Sequence, residues 1–164
     1  MKKLYMLLAA MSLLAVLGCS GLQRDVAWPD PRFTVGKSAE VDCVTDNLTG
    51  LMWAKNGNLA GAQSWYAALD YVATMNSGRG SYGHNDWRLP SRKELRSLVN
   101  KSQVSTAIWL RTQGFNNVKG SYYWSSTTTG VGTGEAWIVY MLDGLEAVFP
   151  MVNPYYVWPV RTGR

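Results

Sequence analysis

Apolar and polar positions near residue 45 alternate as they do in β-strands. Val41 and Cys43 lie on alternate positions, and the alternation resumes at Leu51 and Trp53 after the segment DNLTG. A break rich in Asp, Asn and Gly between two alternating runs is typical of a tight turn. We therefore expect two strands joined by a turn in which Gly50 adopts a positive φ.

The spacing of apolar residues changes to a helical period in the segment AGAQSWYAALDYVATMN. Trp65, Leu69, Val72 and Met75 fall on one face of a helix. Several alanines add helix propensity, and the Asn-Ser-Gly sequence at residues 76–78 is a stop signal. The pattern predicts a first helix that packs through this face.

A second helix begins in the segment DWRLPSRKEL, residues 86–95. Ser91 and Glu94 have the spacing of a capping box, in which each side chain bonds a backbone N–H near the helix start. Pro90 holds the chain extended before the cap. We expect Trp87 to point into the core and its charged neighbours, Asp86 and Arg88, to tie the loop together.

The second half of the chain changes from an irregular pattern to a β pattern. Residues 100–120 show no clear period, whereas YYWSST and EAWIVYML read as strands. Asp143-Gly144 is a hairpin signal, and Pro150 is expected at a sheet edge. The sequence predicts an α+β fold with two short helices packed on a twisted antiparallel sheet. In this sheet the strand at residues 41–44 would lie beside the terminal strand at residues 157–161.

The first residues have the pattern of an export signal. Lys2 and Lys3 precede an apolar run over residues 4–17, and Gly18 precedes Cys19. This end is similar to the bacterial lipobox, which implies acylation of Cys19 and attachment to a membrane. An ordinary signal peptide followed by an incidental cysteine is the alternative. We expect a signal peptide at residues 1–18, a lipid-anchored tether at 19–32 and one domain at 33–164. Ser20, by similarity to Gram-negative lipoproteins, favours the outer membrane.

Charge and cysteine content narrow the possible partners. The formal net charge is +5, and two of these charges, on Lys2 and Lys3, belong to the predicted signal peptide. No dense cluster of Lys and Arg is present, so the sequence does not predict a nucleic-acid partner. If Cys19 is acylated, Cys43 has no partner within the chain. It would then be a buried apolar residue, a free thiol or part of an intermolecular disulfide.

The chain carries, in this order, the segments VTDNLTGLMWAK, WYAALDYV, DWRLPSRKELRSLV, YYWSST, AWIVYMLDG and VWPVR. Together they resemble the Lcl C-terminal domain family over nearly all of residues 41–162. The resemblance implies a C-type-lectin-like fold, akin to that of formylglycine-generating enzyme. It also implies a surface binding module, because the founding adhesin of the family is associated with binding sulfated polysaccharides.

Several chemical motifs of related families are missing from this sequence. Many family members carry a cysteine in the first helix and another near the terminal VR, and this chain has neither. Formylglycine-generating enzymes use paired late cysteines, and here no cysteine follows Cys43. The calcium motifs of true C-type lectins are also not matched, since Asn85-Asp86 precedes Trp87 and Asn153-Pro154 lacks the acid. With His84 as the one histidine, we expect no enzymatic activity, no cofactor and no metal site.

The expected function is a non-enzymatic binding or adhesion domain for a polysaccharide, with an acidic one favoured by the positive charge, or for a surface protein. An envelope structural or assembly protein is the alternative, and an enzyme comes third. The candidate ligand contacts are Tyr82, Lys101, Arg111, Lys119, Tyr122 and Tyr155. Arg79 and Arg92 flank a second loop, the glycine-rich segment GRGSYGHNDW. A structural role is expected for Trp53, Asp86, Trp87, Arg88, Pro90, Ser91, Glu94, Trp124 and Trp137.

The lipoprotein hypothesis predicts the behaviour of a Cys19→Ser variant. Without the thiol the precursor should stay uncut and should leave the detergent phase in a phase-partition assay. The control is Cys43→Ser, which should partition as the unchanged chain does. A Cys19→Ser variant that still partitions into detergent would contradict the hypothesis.

Overall fold

The computed structural model describes residues 28–163, which form an α+β domain. The predicted signal peptide, Cys19 and most of the predicted tether lie outside the described residues. The helices are α1 Trp65–Met75, α2 Arg92–Ser97 and α3 Thr106–Thr112, with a 3₁₀ turn at Ser38–Glu40. The strands are β1 Phe33–Val35, β2 Cys43–Asp46, β3 Leu51–Ala54, β4 Ala62–Gln63, β5 Tyr122–Thr128, β6 Glu135–Tyr140, β7 Glu146–Pro150, β8 Tyr155–Tyr156 and β9 Val160–Thr162.

The strands form two sheets rather than the single sheet expected from the sequence. One has the order β1-β2-β3-β9 and the other the order β4-β8-β5-β6-β7. All pairs are antiparallel except β5 and β8, which are joined by one parallel pair, Tyr123 with Tyr156. Pro150 lies in β7, an edge strand, where its missing N–H costs no ladder bond.

The predicted neighbourhood of the terminal strand is wrong in one respect. β2 and β9 belong to the same sheet, but β3 lies between them, with Leu51 opposite Thr162 and Trp53 opposite Val160. All four residues of β3 are buried, as expected of a central strand that is flanked on both sides. The turn between β2 and β3 is confirmed, since Gly50 has φ = 70°.

Helix α1 confirms the predicted segment but not the whole of its predicted inner face. Ser64 caps it by accepting from the backbone N–H of Ala67. Ala68, Val72 and Met75 are buried, whereas Leu69 is exposed. The buried stripe of α1 therefore runs through Ala68 rather than Leu69. The side chain of Leu69 lies one residue, or about 100° of rotation about the helix axis, away from that of Ala68.

Helix α3 is not predicted by the sequence pattern, which is irregular over residues 100–120. Ser105 caps it by accepting from the backbone N–H of Ile108, and Ala107 and Leu110 are buried. A seven-residue helix shows fewer than two turns of the apolar period, so periodicity alone does not reveal it. Packing of its buried residues, rather than its length, stabilises this helix.

The corner at residues 86–91 joins both sheets. The backbone of Arg88 exchanges hydrogen bonds with Val160 of β9, at 2.9 and 3.0 Å. The carbonyl of Pro90 accepts from the backbone N–H of Ser126 in β5, at 2.8 Å. The side-chain amide of Asn76, at the end of α1, bonds both the N–H and the carbonyl of Trp87, each at 2.7 Å.

The charged residues of the corner hold its two ends. Asp86 accepts from Arg161 of β9, which lowers the pKa of Asp86. Arg88 makes a two-bond ion pair with Glu94, at 2.7 and 2.6 Å, and the predicted capping box of Ser91 and Glu94 is present. Burial would raise the pKa of Glu94, but the hydrogen bonds from Arg88 and the Ser91 backbone outweigh it and lower the pKa.

Packing against the domain begins before Phe33, within the segment assigned to the tether. Arg32 is buried and pairs with the buried carboxylate of Asp46, at 3.1 Å. Its guanidinium lies 4.1 Å from the ring centre of Trp28, and Trp28 packs on Trp109 of α3, with ring centres 5.4 Å apart. The segment from Trp28 to Arg32 is therefore fixed to α3 and β2.

The corner predicts the cost of removing Trp87. This side chain is buried, and its Nε1 donates to the Ser81 carbonyl. Trp87→Ala should lower the free energy of unfolding by about 3–5 kcal/mol, measured by urea denaturation. Trp137→Ala, at a half-buried position under Arg92, is the control and should cost markedly less. A stable Trp87→Ala domain that had lost only ligand binding would contradict the structural role.

Candidate functional site

Four aromatic side chains lie together on one face of the five-stranded sheet. Tyr122 lies opposite Tyr140 on the neighbouring strand, with ring centres 4.6 Å apart. Phe149 and Tyr155 complete the group, at 6.0 and 5.4 Å from Tyr122. All four are half-buried. We call this group the aromatic face.

The aromatic face rests on a rigid base. Trp124 is fully buried beneath Tyr155, with ring centres 4.9 Å apart, and its Nε1 donates to the Gln63 carbonyl. The Tyr155 hydroxyl accepts from Asn153. Half-exposed tyrosines offer a ligand an apolar ring together with a hydroxyl that donates or accepts hydrogen bonds. Such a surface suits a ligand that has both apolar faces and hydroxyl groups.

The sequence predicted Tyr122 and Tyr155 as contacts, and the structure brings these two together. It also adds Tyr140 and Phe149, which the sequence reading did not select. Tyr140 lies on the same side of β6 as Ala136 and Ile138, which are fully buried. The available signal was the Asp143-Gly144 hairpin, because its register places Tyr140 and Phe149 on the same side of β6 and β7.

The three predicted cationic contacts lie near one end of the same sheet. The backbone N–H of Lys119 donates to the hydroxyl of Tyr123. Burial raises the pKa of Tyr123, and the Lys119 hydrogen bond and the charge of Arg111 only partly offset this rise. Lys101 lies in the turn before α3 and is exposed. None of these three cations has a carboxylate within 4.0 Å among residues 28–163. They are therefore available to an anionic partner.

Tyr82 and Arg79 lie elsewhere, in the glycine-rich loop at residues 78–83. Tyr82 has φ = 54° and packs edge-on against Trp87, with ring centres 5.9 Å apart. Burial raises the pKa of Tyr82. The predicted contacts thus divide between two regions, and Tyr82 supports the corner rather than the aromatic face.

A groove of about 330 Å³ lies between α1 and the corner. Leu69, Ala73 and Leu89 contribute apolar surface, and Arg88 lies at its rim. Because Leu69 is exposed, this groove is a second surface, besides the aromatic face, that is suited to contact with a partner.

Arg92 was expected to flank a binding loop, but its side chain is occupied within the domain. Its guanidinium lies 4.1 Å from the ring centre of Trp137 and pairs with Glu146, at 3.2 Å. Trp53, also assigned a structural role, is fully buried against Trp158, with ring centres 5.6 Å apart. Pro90 is buried as well.

The Cys43 thiol lies in a setting that opposes chemistry. It is fully buried, and burial, followed by the nearby charges of Glu40 and Asp42, raises its pKa to about 12. A thiol of that pKa is protonated at neutral pH and is a poor nucleophile. Burial also keeps it from an intermolecular disulfide in the folded domain. Cys43 is therefore a core residue.

His84 pairs with Glu40, with Nε2 2.9 Å from Oε1. No group of three His, Cys, Asp or Glu side chains placed to hold a metal occurs within residues 28–163. In the same part of the chain, no helix is long and apolar enough to cross a membrane.

A family model for the Lcl C-terminal domain matches residues 42–161. The match covers most of the chain and both sheets, so the chain belongs to the Lcl C-terminal domain family. No curated protein sequence matches the chain.

Proposed function

We propose that this protein is a lipoprotein of the bacterial cell envelope, anchored at Cys19 in the outer membrane, whose domain binds a polysaccharide and performs no chemistry. The aromatic face carries this proposal. The domain would have a C-type-lectin-like fold, as the family resemblance implies.

The ligand class follows from the chemistry of the aromatic face. Sugar rings present apolar C–H faces and hydroxyl edges, and Tyr122, Tyr140 and Tyr155 offer aromatic rings with hydroxyl groups. Because the rings are held by Trp124 and by one another, little side-chain freedom is lost on binding. A rigid aromatic group on a sheet is thus suited to a repetitive polymer.

The cations Lys101, Arg111 and Lys119 favour an acidic polysaccharide over a neutral one. Exposed charges act on a ligand within about 10 Å at 0.1 M salt, so an acidic polymer on the aromatic face would feel those nearest to it. This contribution should weaken as salt rises, whereas ring stacking should not.

A direct test compares a tyrosine of the aromatic face with an exposed tyrosine outside it. In a chain of residues 20–164, which retains Trp28 and Arg32, Tyr122→Ala should weaken polysaccharide binding at least about fivefold. Tyr66→Ala is the matched control, because Tyr66 is exposed on α1, outside the aromatic face. Titration against heparin and a neutral polysaccharide, across a salt series, would measure the contribution of ring stacking and that of charge.

Two results would contradict this proposal. Equal losses in Tyr122→Ala and Tyr66→Ala would move the binding site away from the aromatic face. If no polysaccharide bound and cross-linking recovered one envelope protein, the assembly role would replace the binding role. Salt-independent binding of a neutral sugar would contradict the preference for an acidic polysaccharide but not polysaccharide binding itself.

A further inference from the structure

Four exposed aliphatic side chains gather at one end of the domain. Val104 is 100% exposed, Ile108 60%, Leu145 54% and Leu142 37%. Val104 lies in the loop just before α3 and Ile108 in the first turn of α3, while Leu142 and Leu145 lie in the turn between β6 and β7. We call these four residues the aliphatic end.

Backbone hydrogen bonds hold the two halves of the aliphatic end together. The N–H groups of Thr106 and Ala107, in the first turn of α3, donate to the carbonyls of Leu142 and Met141, at 3.0 and 2.9 Å. The N–H of Tyr140 donates to the Leu145 carbonyl, at 2.8 Å, which closes the turn. The four side chains are therefore carried by one fixed piece of backbone.

Cations surround the aliphatic end. Lys101 precedes Val104 in the same loop, and Arg111 follows Ile108 by one helical turn. Lys119 adjoins Gly120, whose added Cβ would lie 3.6 Å from Leu142. The turn also contains Asp143, which accepts a hydrogen bond from the Leu145 N–H. The local charge is therefore positive around an apolar centre, the composition that favours an anionic lipid surface.

The chain from the proposed anchor arrives at this same helix. Trp28 packs on Trp109, the residue after Ile108. Eight residues separate Cys19 from Trp28, and a fully extended chain of this length spans only about 30 Å. A domain anchored at Cys19 would therefore keep α3 close to the bilayer.

We infer that the aliphatic end is a docking surface for an anionic bilayer, which sets the orientation of the anchored domain. The inference rests on the lipid anchor in the proposed function but not on polysaccharide binding. Aliphatic side chains suit acyl chains better than hydrated sugars. A second copy of the chain across a two-fold axis would bring like charges together, so a bilayer is the better occupant.

The test imposes the tether, so that it does not depend on acylation of Cys19. A Cys19→Ser chain of residues 19–164 carries an N-terminal hexahistidine and is held on vesicles that contain a nickel-chelating lipid. An environment-sensitive fluorophore is attached at Val104→Cys or, as control, at Val131→Cys. Both valines are fully exposed. Val131 lies before the first residue of β6, whereas the aliphatic end lies after the last residue, and the strand between them is about 20 Å long.

On vesicles containing phosphatidylglycerol, we expect the label at position 104 to shift to the blue and to be quenched by lipid-borne quenchers. The label at position 131 should not change. Neutralising Lys101 and Lys119 by substitution with Gln should weaken docking about fivefold for each cation at low salt, whereas Arg79→Gln should have no effect.

Equal behaviour of the two labels on tethered chains would overturn the inference. A response of the position-104 label to heparin but not to phosphatidylglycerol would also overturn it and would assign this end to an acidic polymer. Failure of acylation would appear separately, as a Cys19→Ser chain that still partitions into detergent, and would leave the tethered result standing.

Discussion

The paired backbone bonds between Arg88 and Val160 are the contact on which the rest of the fold depends. They attach the corner to the terminal strand of one sheet, while the Pro90 carbonyl attaches it to β5 of the other sheet. Asn76 fixes the corner to the end of α1 through both polar groups of the Trp87 backbone. Since backbone groups that are buried must find partners, a short extended segment with five such hydrogen bonds sets how the two sheets meet.

The surfaces proposed for binding follow from this arrangement. The five-stranded sheet carries the aromatic face on one side, and α2 packs against β5 and β6. At the end of β6 the hairpin turn meets α3, which also receives Trp28. If the aliphatic end rests on a bilayer, the far end of β6 points away from it. Tyr140, the last residue of β6, lies two residues before Leu142, so the aromatic face begins beside the aliphatic end.

Local signals predicted the parts of the fold that depend on local physics. The capping box of Ser91 and Glu94, the positive φ of Gly50 and the edge position of Pro150 each follow from the chemistry of a few neighbouring residues. The position of Leu69 was wrong because the apolar period locates the buried face of a helix only to within one residue. Helix α3 was missed because the period becomes visible only over several helical turns. The second sheet was missed because strand pairing across more than 60 residues leaves no local mark.

The candidate site was predicted in part for the same reason. Tyr122 and Tyr155 were selected as candidate contacts, but their contact with each other depends on the order of strands in the sheet. Tyr140 and Phe149 join them through register, which the sequence specifies only once the hairpin is placed. Arg92 was selected for its charge, whereas Trp137 and Glu146 occupy it.

Native-state hydrogen exchange of an Asn76→Ala variant tests the central role of the corner most directly. If the corner couples the two sheets, the amides of Trp87, Arg88, Ser126 and Val160 should all exchange faster and by similar factors. Asn85→Ala, at an exposed position of the preceding loop, should leave them unchanged. Faster exchange at Trp87 alone, with Ser126 and Val160 still protected as before, would contradict this account.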